Sequence, residues 1–157
     1  MVDNMPRKDL MHDKEKEDQR ELQKKYMQYQ IARQYVAALA EEKSALEARL
    51  AELSMTITAM QHLKDTKKGE EMWSTLGSDA FVMSDVKDAS AAIVGVGAGV
   101  YIRKPLGEAV KTMNARHAEL LEVDKQLLFE INTLNQQLTR LEPEIQAAMA
   151  QMQEHEK

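Results

Sequence analysis

The chain has 157 residues, 26 acidic and 21 basic side chains and a net charge of −5, the size of one domain. Its basic residues do not gather into a stripe, so nucleic acid is not an expected partner. The absence of cysteine removes disulfides, thiol nucleophiles and thiolate metal sites together.

Only 4% of the residues are aromatic while 30% are charged. With Ala, Glu, Lys, Leu, Gln and Arg abundant, this is the composition of long helices whose cores are narrow seams. The four histidines, His12, His62, His117 and His155, have no second histidine within a helical turn, so neither a metal site nor a cofactor is expected. The opening MVDNMPRKDLMHDKEK lacks the apolar stretch of a signal peptide. The least polar run, Ala89 to Tyr101, is too short and glycine-rich to span a bilayer. A cytoplasmic protein without membrane contact is expected.

Residues 1–8 are read as a flexible N-terminus and residues 9–64 as a first helix. Leu22, Lys25, Tyr29, Ala32, Val36, Leu39, Lys43, Leu46, Leu50, Leu53, Ile57 and Met60 follow one another in alternating steps of three and four, the heptad seam of a coiled coil. The helix is expected to end near Leu63, where DTKKG supplies a glycine stop.

Residues 65–105 contain the glycines. In AAIVGVGAGVYIRKP the spacing Gly95, Gly97, Gly99 leaves Val100 where a dinucleotide fingerprint needs its third glycine, and no Gly-Lys-Ser/Thr ending makes a P-loop. The alternative is a tight β-turn. LGSDAFVMSDV from Leu76 aligns with VGAGVYIRKPL from Val96, pairing Gly77 with Gly97, Phe81 with Tyr101, Val82 with Ile102 and Val86 with Leu106. Each copy is an apolar run, a glycine-containing turn and a β-branched and aromatic run, which predicts two tandem β-hairpins linked at Lys87-Asp88. Isolated hairpins are marginal in water and their open edges invite pairing with another chain. Trp73, Leu76, Phe81, Val82, Ile93, Val94, Val96, Tyr101 and Ile102 are therefore expected at contacts between subunits, in a shared β-assembly.

Residues 106–157 are read as a second helix, with Pro105 at its first position. Its seam is Leu106, Val110, Met113, His117, Leu120, Asp124, Leu127, Ile131, Leu134, Leu138, Leu141, Ile145, Ala148 and Met152. Two arms of equal length predict an antiparallel coiled-coil hairpin that sets Ile57 against Met113, Leu50 against Leu120, Tyr29 against Leu141 and Ile145 against Lys25. The same register brings Asp124 within a turn of Lys43, a polar layer in the seam. Pro143 removes one intrahelical hydrogen bond and should leave the last turns bent or frayed. Leu10, Met11, Leu141, Ile145, Met149 and Met152 near the free ends are then available to outside polypeptides, with methionine adapting to varied shapes.

This sequence of elements, with VGAGVYIRK at a turn and strand, two hairpins between the helices and a proline late in the second, resembles the alpha class of the prefoldin family, chaperones of archaea and eukaryotes. The resemblance covers Asp9 to Gln153 and implies a mainly α fold whose two central β-hairpins join an intersubunit β-barrel. It implies a hexamer of two alpha and four beta subunits that holds unfolded polypeptides at its coiled-coil tips without ATP and passes them to a group II chaperonin. The competing expectation is a structural tether or filament former of the gamma-prefoldin kind. An enzyme is not expected, because acid pairs such as Glu70-Glu71 have no cleft around them.

Overall fold

A computed structural model describes residues 7–155, with side chains from Lys16 to Gln153. Helix α1 runs from Arg7 to Leu63 and helix α2 from Leu106 to His155. Between them lie strands β1 (Glu71–Gly77), β2 (Ala80–Asp85), β3 (Ala91–Gly97) and β4 (Val100–Pro105). They form two separate antiparallel hairpins, β1 with β2 and β3 with β4. The chain divides into two compact units, one of Met1–Ser44 with Lys125–Lys157 and one of Ala45–Asp124.

Both helical seams obey the predicted heptad spacing. Every seam residue from Leu22 to Met60 and from Leu106 to Met152 is buried or half-buried, the polar Lys25, Lys43, His117 and Asp124 included. A repeat of 3.5 residues, close to the 3.6 of the helix, keeps one stripe turned inward over many turns.

In the first unit the helices run antiparallel. The Lys25 ammonium meets the Glu144 carboxylate at 3.0 Å, and the Tyr35 hydroxyl donates to Glu130 Oε1 at 3.0 Å. Leu39, Leu127 and Ile145 are its buried apolar side chains. Ile145 and Lys25 thus lie at one level, and Lys25 reaches one residue aside to the carboxylate. Hydrogen bonding and charge attraction from Glu144 hold the ammonium protonated to higher pH than usual.

The second unit holds the central cluster of Leu53, Ile57, Val94, Ala109 and Met113, with Met60, Ala92 and Leu120 packed on it. One of its polar seam residues is satisfied across the helix pair, since His117 Nε2 lies 3.1 Å from Ser54 Oγ. The end of α1 is a tightened turn rather than the glycine stop expected. Lys64, Asp65 and Thr66 donate their amides three residues back, to Gln61, His62 and Leu63. Gly69 instead opens the first hairpin, donating its amide to Val86 at 2.8 Å.

The hairpins repeat one another with an offset of 20 residues. Trp73 pairs with Met83 as Ile93 pairs with Arg103, and Thr75 with Phe81 as Gly95 with Tyr101. In each, the register shifts before the turn, leaving Leu76 and Val96 as the extra bulge residues. Gly77 and Gly97 follow at φ 94° and 109°, a backbone region that glycine enters without a side-chain clash. Two-residue turns then close the hairpins with positive φ throughout, at Ser78 (48°), Asp79 (59°), Ala98 (48°) and Gly99 (73°). Positive φ at both central residues is the type I′ signature, whose twist matches that of paired strands.

Two further local expectations are corrected. Pro105 is the last residue of β4, paired with Ala91, and α2 begins at Leu106, whose amide donates to Ser90 at 2.8 Å. A strand end can accept a proline because that position need not donate to the ladder. Pro143 lies inside α2, which continues helically to His155, so the last turns are not frayed among the described residues. The packing of Ile145, 7% exposed two residues later, supports the helix across the missing bond.

The link between the hairpins is tied down by Asp88. Its carboxylate accepts the Ser90 amide at 2.8 Å and the Ser90 hydroxyl, and pairs with the Arg103 guanidinium at 2.6 Å. The Ser90 donors first, then Arg103, hold its carboxyl below the ordinary value, against a smaller opposing effect of desolvation. A carboxyl with a lowered folded pKa contributes stability that is present above its unfolded value and lost as pH falls through the folded one. Asp88→Asn is therefore expected to lower Tm at pH 7, with the difference from wild type closing as pH falls through the lowered folded value, read by thermal unfolding across pH.

Candidate functional site

Strand alternation gives each hairpin two faces. In the second hairpin, Ala92, Val94, Ile102 and Lys104 share the face turned to the helices. Val94 is 1% exposed within the central cluster, and Lys104 Nζ donates to Thr112 Oγ1 at 3.0 Å. Arg116 reaches the backbone from α2 and donates to the Gly95 carbonyl at 2.8 Å. The opposite face carries Ile93, Tyr101 and Arg103, all exposed. There the Tyr101 ring lies over Gly95, 3.2 Å from where a side-chain carbon would stand, so the glycine seats the aromatic.

The first hairpin differs at the equivalent positions. Where Val94 and Lys104 stand in one copy, Ser74 and Ser84 stand in the other and hydrogen-bond each other across the strands. Neighbouring Met72 and Val82 are exposed. On the other face Trp73 is 65% exposed, with Phe81 and Met83 beside it, also exposed. Aromatic and aliphatic side chains are thus concentrated on a two-stranded sheet with open edges, the kind of surface that invites association.

Of the nine residues expected at subunit contacts, Trp73, Leu76, Phe81, Val82, Ile93, Val96, Tyr101 and Ile102 are exposed. Val94 is the correction. It is consumed by the core of its own chain and has no side-chain surface left to offer.

The residues expected to meet outside polypeptides fare unevenly. The side chains of Leu10 and Met11 lie outside the described residues. Met149 is exposed, Leu141 and Met152 are half-buried, and Ile145 is buried in the helix pair, a second correction, since its methyl groups already have apolar neighbours. Met152 lines a groove of about 570 Å³ together with Leu22, Ala147 and Ala148 and with the polar Gln19 and Gln151. Alanines leave room there that larger residues would fill. Asp18, Glu21, Glu144 and Lys25 complete its lining.

A second groove of the same unit, about 620 Å³, was not foreseen. It is lined by Ile31, Ala32, Tyr35, Leu134 and Leu141 together with polar side chains. Met27, Ile31 and Tyr35, at four-residue steps outside the seam, are all exposed and form one apolar row on α1. That spacing was the available signal. Phe129, 74% exposed on α2, is another large apolar side chain left uncovered in this unit, as are Tyr26, Leu128 and Met149.

Among the described residues no group of three or more His, Asp or Glu side chains could hold a metal ion, and no helix is long and apolar enough to cross a membrane.

Comparison with known proteins agrees with this geometry. The family model described as "Prefoldin subunit" matches residues 32–151. The prefoldin subunit alpha of Methanococcus aeolicus is 30% identical over 136 residues, covering 84% of this chain and 92% of that one. That of Thermofilum pendens is 22% identical, covering 75% and 92%. A filamentous prefoldin from Methanocaldococcus jannaschii, solved by cryo-electron microscopy, has the same fold with a TM-score of 0.66 and 23% identity, over 76% of this chain and 98% of that one. With paired heptad helices, two tandem hairpins between them and relatives matched over most of their length, the chain belongs to the prefoldin family as an alpha-type chaperone subunit.

Proposed function

We propose that this subunit captures unfolded polypeptides without ATP near the free ends of its paired helices and hands them to a group II chaperonin in the cytoplasm. The carrying observation is the open groove near the helix ends, where Leu22, Ala147, Ala148 and Met152 stand among polar residues. Met149 and Met152 add side chains that adjust to varied shapes. Leu10, Met11 and Leu141 complete the proposed client surface, whereas Ile145 supports it from beneath.

The hairpins serve assembly. In the proposed complex two such subunits join four beta-type subunits, and the exposed faces around Trp73, Phe81, Ile93 and Tyr101 close a shared β-barrel. Several grooves on one particle would hold a client by avidity although each is weak. The competing reading is a filament-forming or tethering role, as in the filamentous prefoldin of similar fold. A closed particle of fixed mass formed with a beta-type subunit supports the chaperone complex, and open-ended filaments from this chain alone support the other.

The test is removal of residues 1–14 and 142–157. Suppression of aggregation of a chemically unfolded client is expected to fall at least about tenfold in potency, through lost avidity at every tip, while particle mass is kept. Unchanged suppression would refute capture at the ends and turn attention to the Met27, Ile31 and Tyr35 row.

A further inference from the structure

We infer that the end groove selects a class of client, namely extended apolar segments flanked by lysine or arginine. The inference rests on the proposed client role and adds a preference to it. Leu22, Ala147, Ala148 and Met152 are the apolar part of the groove's lining, and among the described residues its charged part is Asp18, Glu21, Glu144 and Lys25. The Lys25 ammonium is engaged within the chain, 3.0 Å from Glu144, and feels the negative charge of Glu21 one turn away. The described lining therefore carries an excess of negative charge beside its apolar residues. The whole chain, at −5, adds to the same field.

An apolar client side chain seated against these residues would bring its sequence neighbours close to the carboxylates of the same groove. There lysine or arginine meets opposite charge, and aspartate or glutamate meets repulsion. Exposed charges of this kind contribute modestly to affinity and more strongly to discrimination, because the wrong sign is penalised as the right one is rewarded. Newly made and unfolded chains carry both kinds of segment, so the groove would sort among them.

The experiment measures three fluorescein-labelled peptides by anisotropy against the assembled full-length complex. All share the apolar centre Leu-Ile-Phe-Leu, and their flanks are lysine, serine or glutamate. The lysine-flanked peptide is expected to bind about tenfold more tightly than the glutamate-flanked one at low salt, with the ratio shrinking towards one above about 0.5 M salt. In Asp18→Asn with Glu21→Gln, assembly and helix content should stay as in wild type, and the ratio should fall to about threefold or less. The serine-flanked peptide reports any effect of the substitutions that is independent of flank charge. Equal affinity for the three flanks, or a ratio untouched by the double variant, overturns the charge preference alone. Failure of all three peptides to bind overturns the client-holding role and this inference with it.

Discussion

Replacing Trp73 and Phe81 together by serine is expected to dissociate the assembled particle into subunits that keep their helices. Both side chains are more than half exposed in the single chain, so their loss removes little from its own core. In a complex each would be covered. Covering an aromatic side chain contributes roughly 2 kcal/mol, so the pair accounts for about 4 kcal/mol and a roughly thousandfold change in the association constant. Their neighbours amplify the effect, since Met83 pairs with Trp73 and Thr75 with Phe81 across the same strands. Mass measured over a dilution series reads the midpoint. The single substitution Phe81→Ser keeps Trp73, the only tryptophan, as a probe whose emission should shift to the blue on assembly of the wild type and much less in the variant. An unchanged midpoint in the double variant would mean that the first hairpin is not an assembly surface.

The parts of this fold that were legible are those fixed by period. Steps of three and four marked both seams because a helix offers one stripe to a partner, and all those positions are covered to some degree. The 20-residue duplication marked both hairpins because identical turn chemistry needs identical spacing, and the two ladders have the same register. What the sequence leaves open is which apolar face is already covered. Val94 and Ile93 are adjacent β-branched residues of similar character, yet one is buried and the other exposed, as period two requires. Only the chain's own helices decide which. Ile145 is buried for a related reason: Pro143 does not end the packing, because one lost hydrogen bond is outweighed by the apolar contact of the seam. The Met27, Ile31 and Tyr35 row is a second stripe on the same helix, outside the seam that the heptad period marks.

The contrast between the hairpins makes the second large prediction. Val94→Asp places a carboxyl among Leu53, Ile57, Ala109 and Met113, where the core cluster provides no hydrogen-bond donor for it. The expected loss at pH 7 is about 3 kcal/mol or more, from the lost valine contacts together with the cost of a buried polar group. Val94→Ala, which creates only a cavity, should cost about 2 kcal/mol at any pH. The equivalent position of the first hairpin has no such core beneath it, so Ser74→Ala should cost about 1 kcal/mol or less, the value of one neutral hydrogen bond. Acid separates the two mechanisms at position 94. Burial raises the folded pKa of the introduced carboxyl above its unfolded value near 4, so the native state of the variant is favoured below that value and loses the benefit as pH rises through the raised one. The gap between Val94→Asp and Val94→Ala in thermal unfolding should therefore narrow as the pH is lowered from 7 to about 4. A gap that stays constant over that range would mean that the second hairpin lifts off its helices to hydrate the carboxylate, and that its docking contributes less to the fold than the packing of Val94 implies.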